Sequence, residues 1–266
     1  MKITFIGGGN MGEAILSAVL DKEISTPDTI AVSDVSEERR QYLRNSYRIM
    51  AAGSNRQAAE KGEVVVLAIK PQNLDEAMAN LKDQLKPEQL VLSIIAGARI
   101  NTLREGLNHE CLVRAMPNTP AQIGRGITMW TATSGVSEMQ KGWAGSILSA
   151  MGQEIYVEDE KYIDMATAIS GSGPAYVFLF MESLVDAAIG IGLSSDVARE
   201  LVMATVLGSG QFALRSGKSL KELREMVTSP GGTTAEALLK LESKEFSGII
   251  KQAVNAAYDK AKSLGI

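Results

Sequence analysis

Ile3-Thr4-Phe5-Ile6-Gly7-Gly8-Gly9-Asn10-Met11-Gly12 places a short apolar strand directly against a glycine-rich turn. Gly7, Gly9 and Gly12 fit the spacing G-x-G-x-x-G, and an amphipathic helix over residues 13–21 follows. In that pattern Gly7 permits the tight turn, Gly9 lets the backbone approach a pyrophosphate, and Gly12 lets the helix pack on the strand. A second strand, predicted over residues 29–33, ends in Ser33 and Asp34, and Asp34 lies 22 residues past Gly12. A dinucleotide fold presents an acidic group to the ribose 2′-hydroxyl at about that distance. Ser33 and Asp34 are therefore cofactor-binding candidates. The bland alternative is a glycine turn in some other α/β sheet.

Alternating strand and helix signals continue outward from this turn. Helices are predicted over residues 38–48 and 55–61, and the unbroken apolar run 64–69 reads as a strand buried on both faces. It stops at Lys70-Pro71, because proline cannot continue a central strand. Further elements are predicted as helix 74–85, strand 90–95, helix 100–107, strands 111–115 and 126–131, helix 137–151 and strand 154–157. Ligands of open α/β sheets bind outside the carboxyl ends of strands, which makes Lys70, Ala96 and Asn118 candidates. The acidic run Glu158-Asp159-Glu160 marks a boundary. Residues 1–159 read as a mostly parallel, doubly wound Rossmann domain, and residues 160–266 as an all-α domain. The helical half is too apolar to stand alone in water and is expected to bury itself against a second subunit.

Composition narrows the chemistry. The 266 residues carry 27 Lys and Arg against 31 Asp and Glu, a net charge of −4, and the cations are scattered. That distribution predicts no nucleic-acid footprint. No signal-peptide pattern opens the chain, and the long apolar run 175–193 contains Glu182 and Asp186, so a buried helix is expected there and not a membrane span. A cytoplasmic location is the expectation. Cys111 is the only cysteine and His109 the only histidine. Zinc catalysis, a serine triad and a cysteine nucleophile all fall away, no metal site is expected, and the chemistry must come from a cofactor. His109 reads as a satisfied or solvated side chain.

Two unusual turns interrupt the helical half. Ile169-Ser170-Gly171-Ser172-Gly173-Pro174-Ala175-Tyr176 reads as a polar turn opening a long helix over 174–193, with proline where no hydrogen bond is lost. Ser229-Pro230-Gly231-Gly232-Thr233-Thr234 supplies hydroxyls and unpaired N–H groups at the start of a helix over 234–242, a cradle suited to a carboxylate. The same turn also reads as an ordinary N-cap by Thr233 or Ser229.

Taken together, FIGGGNMG, VLAIKPQ, VRAMPNTP, ISGSGPAYVF and VTSPGGTT resemble the Δ1-pyrroline-5-carboxylate reductase family, in that family's order and spacing over essentially the whole chain. The resemblance implies a Rossmann half and a helical half that intertwines with its partner into a homodimer, with further assembly to a decamer. It implies reduction of a cyclic imine carboxylate to L-proline by NADPH or NADH. Position by position, it puts the pyrophosphate on Gly7, Gly8, Gly9, Asn10, Met11 and Gly12, and Asn55 near the adenosine ribose. It puts Ala68, Ile69, Lys70 and Pro71 beside the nicotinamide ribose, with Ala96 close by. Ser229, Gly232, Thr233 and Thr234 are implied to hold the substrate carboxylate from the partner subunit, and Thr167 to lie near the reacting imine, as a catalytic proton donor or relay or as a purely structural hydroxyl.

One position departs from the pattern. Many NADPH-preferring members carry a small hydroxyl residue where this chain has Asp34, and a carboxylate there accepts from a free 2′-hydroxyl and repels a 2′-phosphate. Arg39 and Arg40 are close in sequence and either compensate or serve as helix-surface charges. Good use of NADH is the expectation. A dehydrogenase of the 6-phosphogluconate type would need a lysine base on the first long helix of the second half, and residues 174–193 contain none. A non-catalytic dinucleotide sensor has no need of the 229–234 turn.

Overall fold

The computed structural model describes residues 1–265. Strand β1 (Ile3–Ile6) leads into helix α1 (Asn10–Asp21), followed by β2 (Ile30–Ser33), α2 (Glu37–Tyr47), β3 (Met50–Ala52) and α3 (Asn55–Ala59). Then come β4 (Val64–Leu67), α4 (Leu74–Leu81), β5 (Leu90–Ser93), α5 (Ile100–Leu107), β6 (Leu112–Met116) and β7 (Gly126–Ala132). Helix α6 (Glu138–Ser149), β8 (Gly152–Tyr156) and α7 (Lys161–Ala166) complete this part. The strands form one sheet in the order β3-β2-β1-β4-β5-β6-β7-β8, and only the β6–β7 pairing is antiparallel. Every residue of β1, β2, β4 and β5 is buried, as expected of strands covered on both faces. The order reverses between β1 and β4, and the crevice beyond the carboxyl ends of these two strands is where such a sheet binds ligands.

The sequence pattern contains no signal for β3. Met50-Ala51-Ala52 has no β-branched or aromatic residue, and it becomes a strand only because residues 31–33 of β2 offer it an edge to pair with.

By compactness the chain divides into residues 1–172 with the segment from Ala256 onward, and Gly173–Asn255. The first unit continues past the acidic run because Arg114 of β6 reaches α7. That arginine is 2% exposed, and its Nη1 and Nη2 donate to Glu160 (2.8 Å) and Asp164 (2.7 Å). Glu160 also accepts from the N–H of Ile100, at the start of α5 (2.8 Å).

The helix signal of residues 162–169 runs on through Thr167–Gly171, and only at Ser170 and Gly171 does the structure correct the expectation of a turn that opens a helix. Thr167–Gly171 is a π-helical turn, closed by the Ser172 N–H donating to the Thr167 carbonyl at 2.8 Å. The glycine serves packing here: a Cβ on Gly171 would lie 2.8 Å from Cε of Met116, the last residue of β6.

The second unit is helical: α8 (Gly173–Gly190), α9 (Ser195–Ser216), α10 (Leu220–Met226), α11 (Thr233–Ser243) and the first part of α12 (Phe246–Leu264). No residue of α8 is buried within this chain, and Phe178, Leu179, Leu201, Leu207 and Phe212 all stand exposed. The helical run Lys161–Gly190 is long and apolar enough by composition to cross a membrane, although Glu182 and Asp186 lie within it.

Candidate functional site

Beyond the ends of β1 and β4 lies a cleft of about 550 Å³. Gly7, Gly9, Ser33, Asp34, Asn55, Ala68, Ile69 and Lys70 line it, together with Val35, Gln72, Asn73, Glu76 and Ala77. The last five were not singled out from the sequence. Gln72 and Asn73 follow from the short 3₁₀ turn Pro71–Asn73, in which Pro71 takes the first position.

Each glycine of the turn has its own reason. Gly7 adopts φ +98°, and a Cβ there would lie 2.7 Å from the Ala68 carbonyl oxygen, so the ends of β1 and β4 approach across it. A Cβ on Gly12 would lie 2.4 Å from the Gly7 carbonyl oxygen, so this glycine seats α1 on the turn itself. A Cβ on Gly8 would meet Leu43 of α2 at 2.4 Å. A Cβ on Gly9 would meet nothing within 4 Å. Gly9 is also the N-cap of α1, and no side chain caps that helix. The first-turn N–H groups, beginning with Asn10, Met11 and Gly12, therefore have no intrahelical acceptor, and they lie at the positive end of the helix dipole. Open space over Gly9 and uncommitted donors beneath it fit a pyrophosphate.

Asp34 lines the cleft with its carboxylate fixed: Oδ2 accepts from the Gly8 N–H and Oδ1 from the Ser36 N–H, both at 2.9 Å. The Gly8 N–H is thus committed to the protein. Ser33 donates to Asn55 Oδ1 (2.7 Å), which sets the orientation of that carboxamide. Lys70 is exposed and forms no ion pair among the described residues. Ala96 and Asn118 lie outside the cleft lining, and Asn118 accepts from the Ile127 N–H (3.0 Å), bracing the start of β7. Thr167 is half-buried and donates its hydroxyl proton to the Ile163 carbonyl at 2.8 Å. His109 is buried with Nε2 at 2.7 Å from the Gln89 carbonyl oxygen, so of the two readings, satisfied or solvated, the first holds.

A network behind the glycine turn had no sequence signal beyond the proximity of Arg39 and Arg40. Arg39 donates to the Gly8 carbonyl, pairs with Glu13 and lies over the Tyr42 ring, 4.9 Å from its centroid. Glu13 also accepts from Tyr42 (3.0 Å) and Tyr47 (2.8 Å). Burial acts to raise the Glu13 pKa, but hydrogen bonds from Arg39, Tyr47 and Tyr42 outweigh it and hold the carboxyl below the usual value. Burial and the bond to Glu13 push Tyr47 up to about 12. Arg40 donates to the Asp34 carbonyl and pairs with Glu37.

In the second unit the Gly232 N–H donates to the Ser229 carbonyl (3.0 Å), with Gly231 at φ +68°. The N-cap of α11 is Gly232, and no side chain caps it. The hydroxyls of Ser229, Thr233 and Thr234 make no hydrogen bond among the described residues, so the plain N-cap reading does not apply.

Residues 160–264 match the family described as pyrroline-5-carboxylate reductase dimerisation, and residues 2–97 match NADP oxidoreductase, coenzyme F420-dependent. A pyrroline-5-carboxylate reductase of Synechocystis sp. is 38% identical over 100% of this chain and 98% of its own length. One of Pseudomonas aeruginosa is 39% identical over 99% of this chain and 96% of its own length. This chain belongs to the pyrroline-5-carboxylate reductase family. The solved pyrroline-5-carboxylate reductase of Coxiella burnetii has a TM-score of 0.91 to it at 38% identity, covering 100% of this chain and 98% of that one. The pyrroline carboxylate reductase of Plasmodium falciparum, solved with NADP bound, also has a TM-score of 0.91, at 32% identity and the same coverage. Kinship with pyrroline-5-carboxylate reductases thus spans both the glycine-turn half and the helical half.

Proposed function

We propose that this chain carries out the reaction its family is named for, the NAD(P)H-dependent reduction of 1-pyrroline-5-carboxylate to L-proline, the final step of proline biosynthesis. Likeness to reductases over the full chain carries this reading. The local geometry supports a division of labour. Gly7, Gly9, Asn10, Met11 and Gly12 hold the pyrophosphate at the α1 N-terminus, while Gly8 seats the turn on α2. Ser33, Asp34 and Asn55 hold the adenosine ribose. Ala68, Ile69, Lys70 and Pro71 take the nicotinamide end, with Ala96 near it and Asn118 bracing the neighbouring loop.

Bound reduced nicotinamide supplies a hydride. The substrate's protonated C=N carbon accepts it, and the π electron pair passes to nitrogen. No proton has to be delivered in that step, so the protein's task is to position the imine and to exclude water. Thr167 suits this chemistry as an acceptor: its proton is committed to Ile163, and its lone pairs remain for an iminium N–H. Ser229, Gly232, Thr233 and Thr234 hold the substrate carboxylate from the partner subunit; their uncommitted hydroxyls and the uncapped start of α11 support this.

The chain forms oligomers, which accounts for the exposed apolar side chains of α8 and α9. Residues 1–159 serve as the dinucleotide domain and residues 160–266 as the dimerisation domain. Dimers assembled into a decamer in the cytoplasm, without nucleic acid or membrane, complete the reading, supported by the family resemblance and the acidic charge. The test incubates the protein with 1-pyrroline-5-carboxylate and NADH or NADPH and quantifies L-proline. One proline per cofactor oxidised is expected, with 1-pyrroline, which lacks the carboxylate, a much poorer substrate. Tight cofactor binding with no proline formed would favour a dinucleotide sensor.

A further inference from the structure

We infer that Glu13, together with Asp34, makes this chain select NADH over NADPH, by holding Arg39 on the glycine turn and away from service as a phosphate ligand. The inference rests on the dinucleotide reading of the cleft. It concerns which dinucleotide is held, not whether the imine is reduced.

The corner where β2 ends contains Glu13, Asp34 and Glu37 against Arg39 and Arg40, an excess of one negative charge. Neither arginine is free. Arg39 commits Nε to the Gly8 carbonyl and Nη2 to Glu13, and its flat face covers Tyr42. Arg40 commits Nη1 to the Asp34 carbonyl and Nη2 to Glu37. Recognition of a phosphate by arginine favours a fork with parallel N–H groups free, and here one edge of each guanidinium is already used. A 2′-phosphate would bring about −1.5 to −2 charges beside Asp34. A 2′-hydroxyl, in contrast, can donate to Asp34, because a carboxylate has about four acceptor positions and the two backbone N–H groups take only two.

Glu13 matters separately from Asp34. It lies on α1, and one carboxylate gathers Arg39, Tyr42 and Tyr47. With its charge removed, Arg39 regains an unneutralised cation next to the end of β2. Glu13→Gln keeps the shape and an acceptor oxygen for the tyrosines, so it separates charge from scaffolding.

The experiment titrates NADH and NADPH, in the absence of substrate, into the unaltered protein, D34S, E13Q and D34S/E13Q, reading Kd from bound-nicotinamide fluorescence. The unaltered protein is expected to favour NADH by on the order of tenfold or more, from the like charges set against a 2′-phosphate. E13Q should narrow that ratio with the NADH Kd little changed, and the double variant should bind NADPH more tightly than D34S does. NADPH binding as tight as NADH in the unaltered protein overturns the inference. So does an E13Q variant that weakens both cofactors alike, which would make Glu13 a support of the turn only, or a double variant no better for NADPH than D34S. Failure to bind either cofactor would remove the dinucleotide reading and this inference with it, whereas intact selectivity without proline formation would spare the inference and remove the reductase.

Discussion

A Cβ on Gly9 meets nothing within 4 Å, whereas one on Gly12 would lie 2.4 Å from a backbone oxygen. The two glycines should therefore fail differently. Gly9→Ala is expected to fold, at a cost of no more than about 1 kcal/mol for the poorer N-cap, while its cofactor Kd rises. Gly12→Ala is expected to lose about 1–3 kcal/mol through overpacking. Thermal melts beside cofactor titrations separate the two, and a Gly9→Ala protein with unchanged affinity would remove that residue from the pyrophosphate site. Glu13 adds a pH dependence. Its folded pKa lies below the ordinary glutamate value of 4.5, so its contribution is complete above that pH and is lost as the pH falls through the lower, folded value. The melting temperature should fall below pH 4.5, and less steeply in E13Q. The glycine spacing and Asp34 were legible because a fixed turn geometry demands them at fixed intervals. The Glu13–Arg39–Tyr42–Tyr47 network was not, since its members join α1 to α2 across the fold with no periodic signature.

Besides the buried Ile163, Ala166 and Ala168, one buried side chain from the sheet, Arg114, ties down α7. Removing Arg114 would leave Glu160 and Asp164 facing each other without a cation, and Arg114→Ala is expected to cost about 3–5 kcal/mol, measured by urea unfolding. A loss below 1 kcal/mol would mean that water replaces the guanidinium. Most elements were legible at this scale. A short, β-branched apolar run that stops before Pro71, such as 64–67, reads as a strand covered on both faces, and Ser137 with Gln140 makes the capping box that starts α6. Two elements were not. Met50-Ala51-Ala52 becomes a strand through its neighbour alone. Ser170 and Gly171 carry the signal of a turn yet continue the helix, with Gly171 close against Met116 of β6. Local composition cannot reveal a requirement imposed by a residue more than fifty positions away.

Over the whole molecule the division of character is sharp. Residues 1–172 enclose a core around buried strands, whereas α8 and α9 expose rows of large apolar side chains. The second pattern was legible as a helical half too apolar to stand alone, but a single chain cannot show what covers it. Leu207, 65% exposed, is expected to lie in the oligomer contact. Leu207→Glu should shift the sedimentation coefficient toward the monomer, and an unchanged assembly would place the contact elsewhere. In the proposed reductase each site joins the glycine-turn cleft of one subunit to the 229–234 turn of its partner. The decisive measurement mixes two inactive variants under subunit exchange: Gly9→Val, which blocks the cleft, with Ser229→Ala/Thr234→Val, which empties the turn. Hybrids of two-fold symmetric dimers should recover about a quarter of the unaltered proline-forming rate. No recovery, with exchange verified by mass, would contradict a shared site.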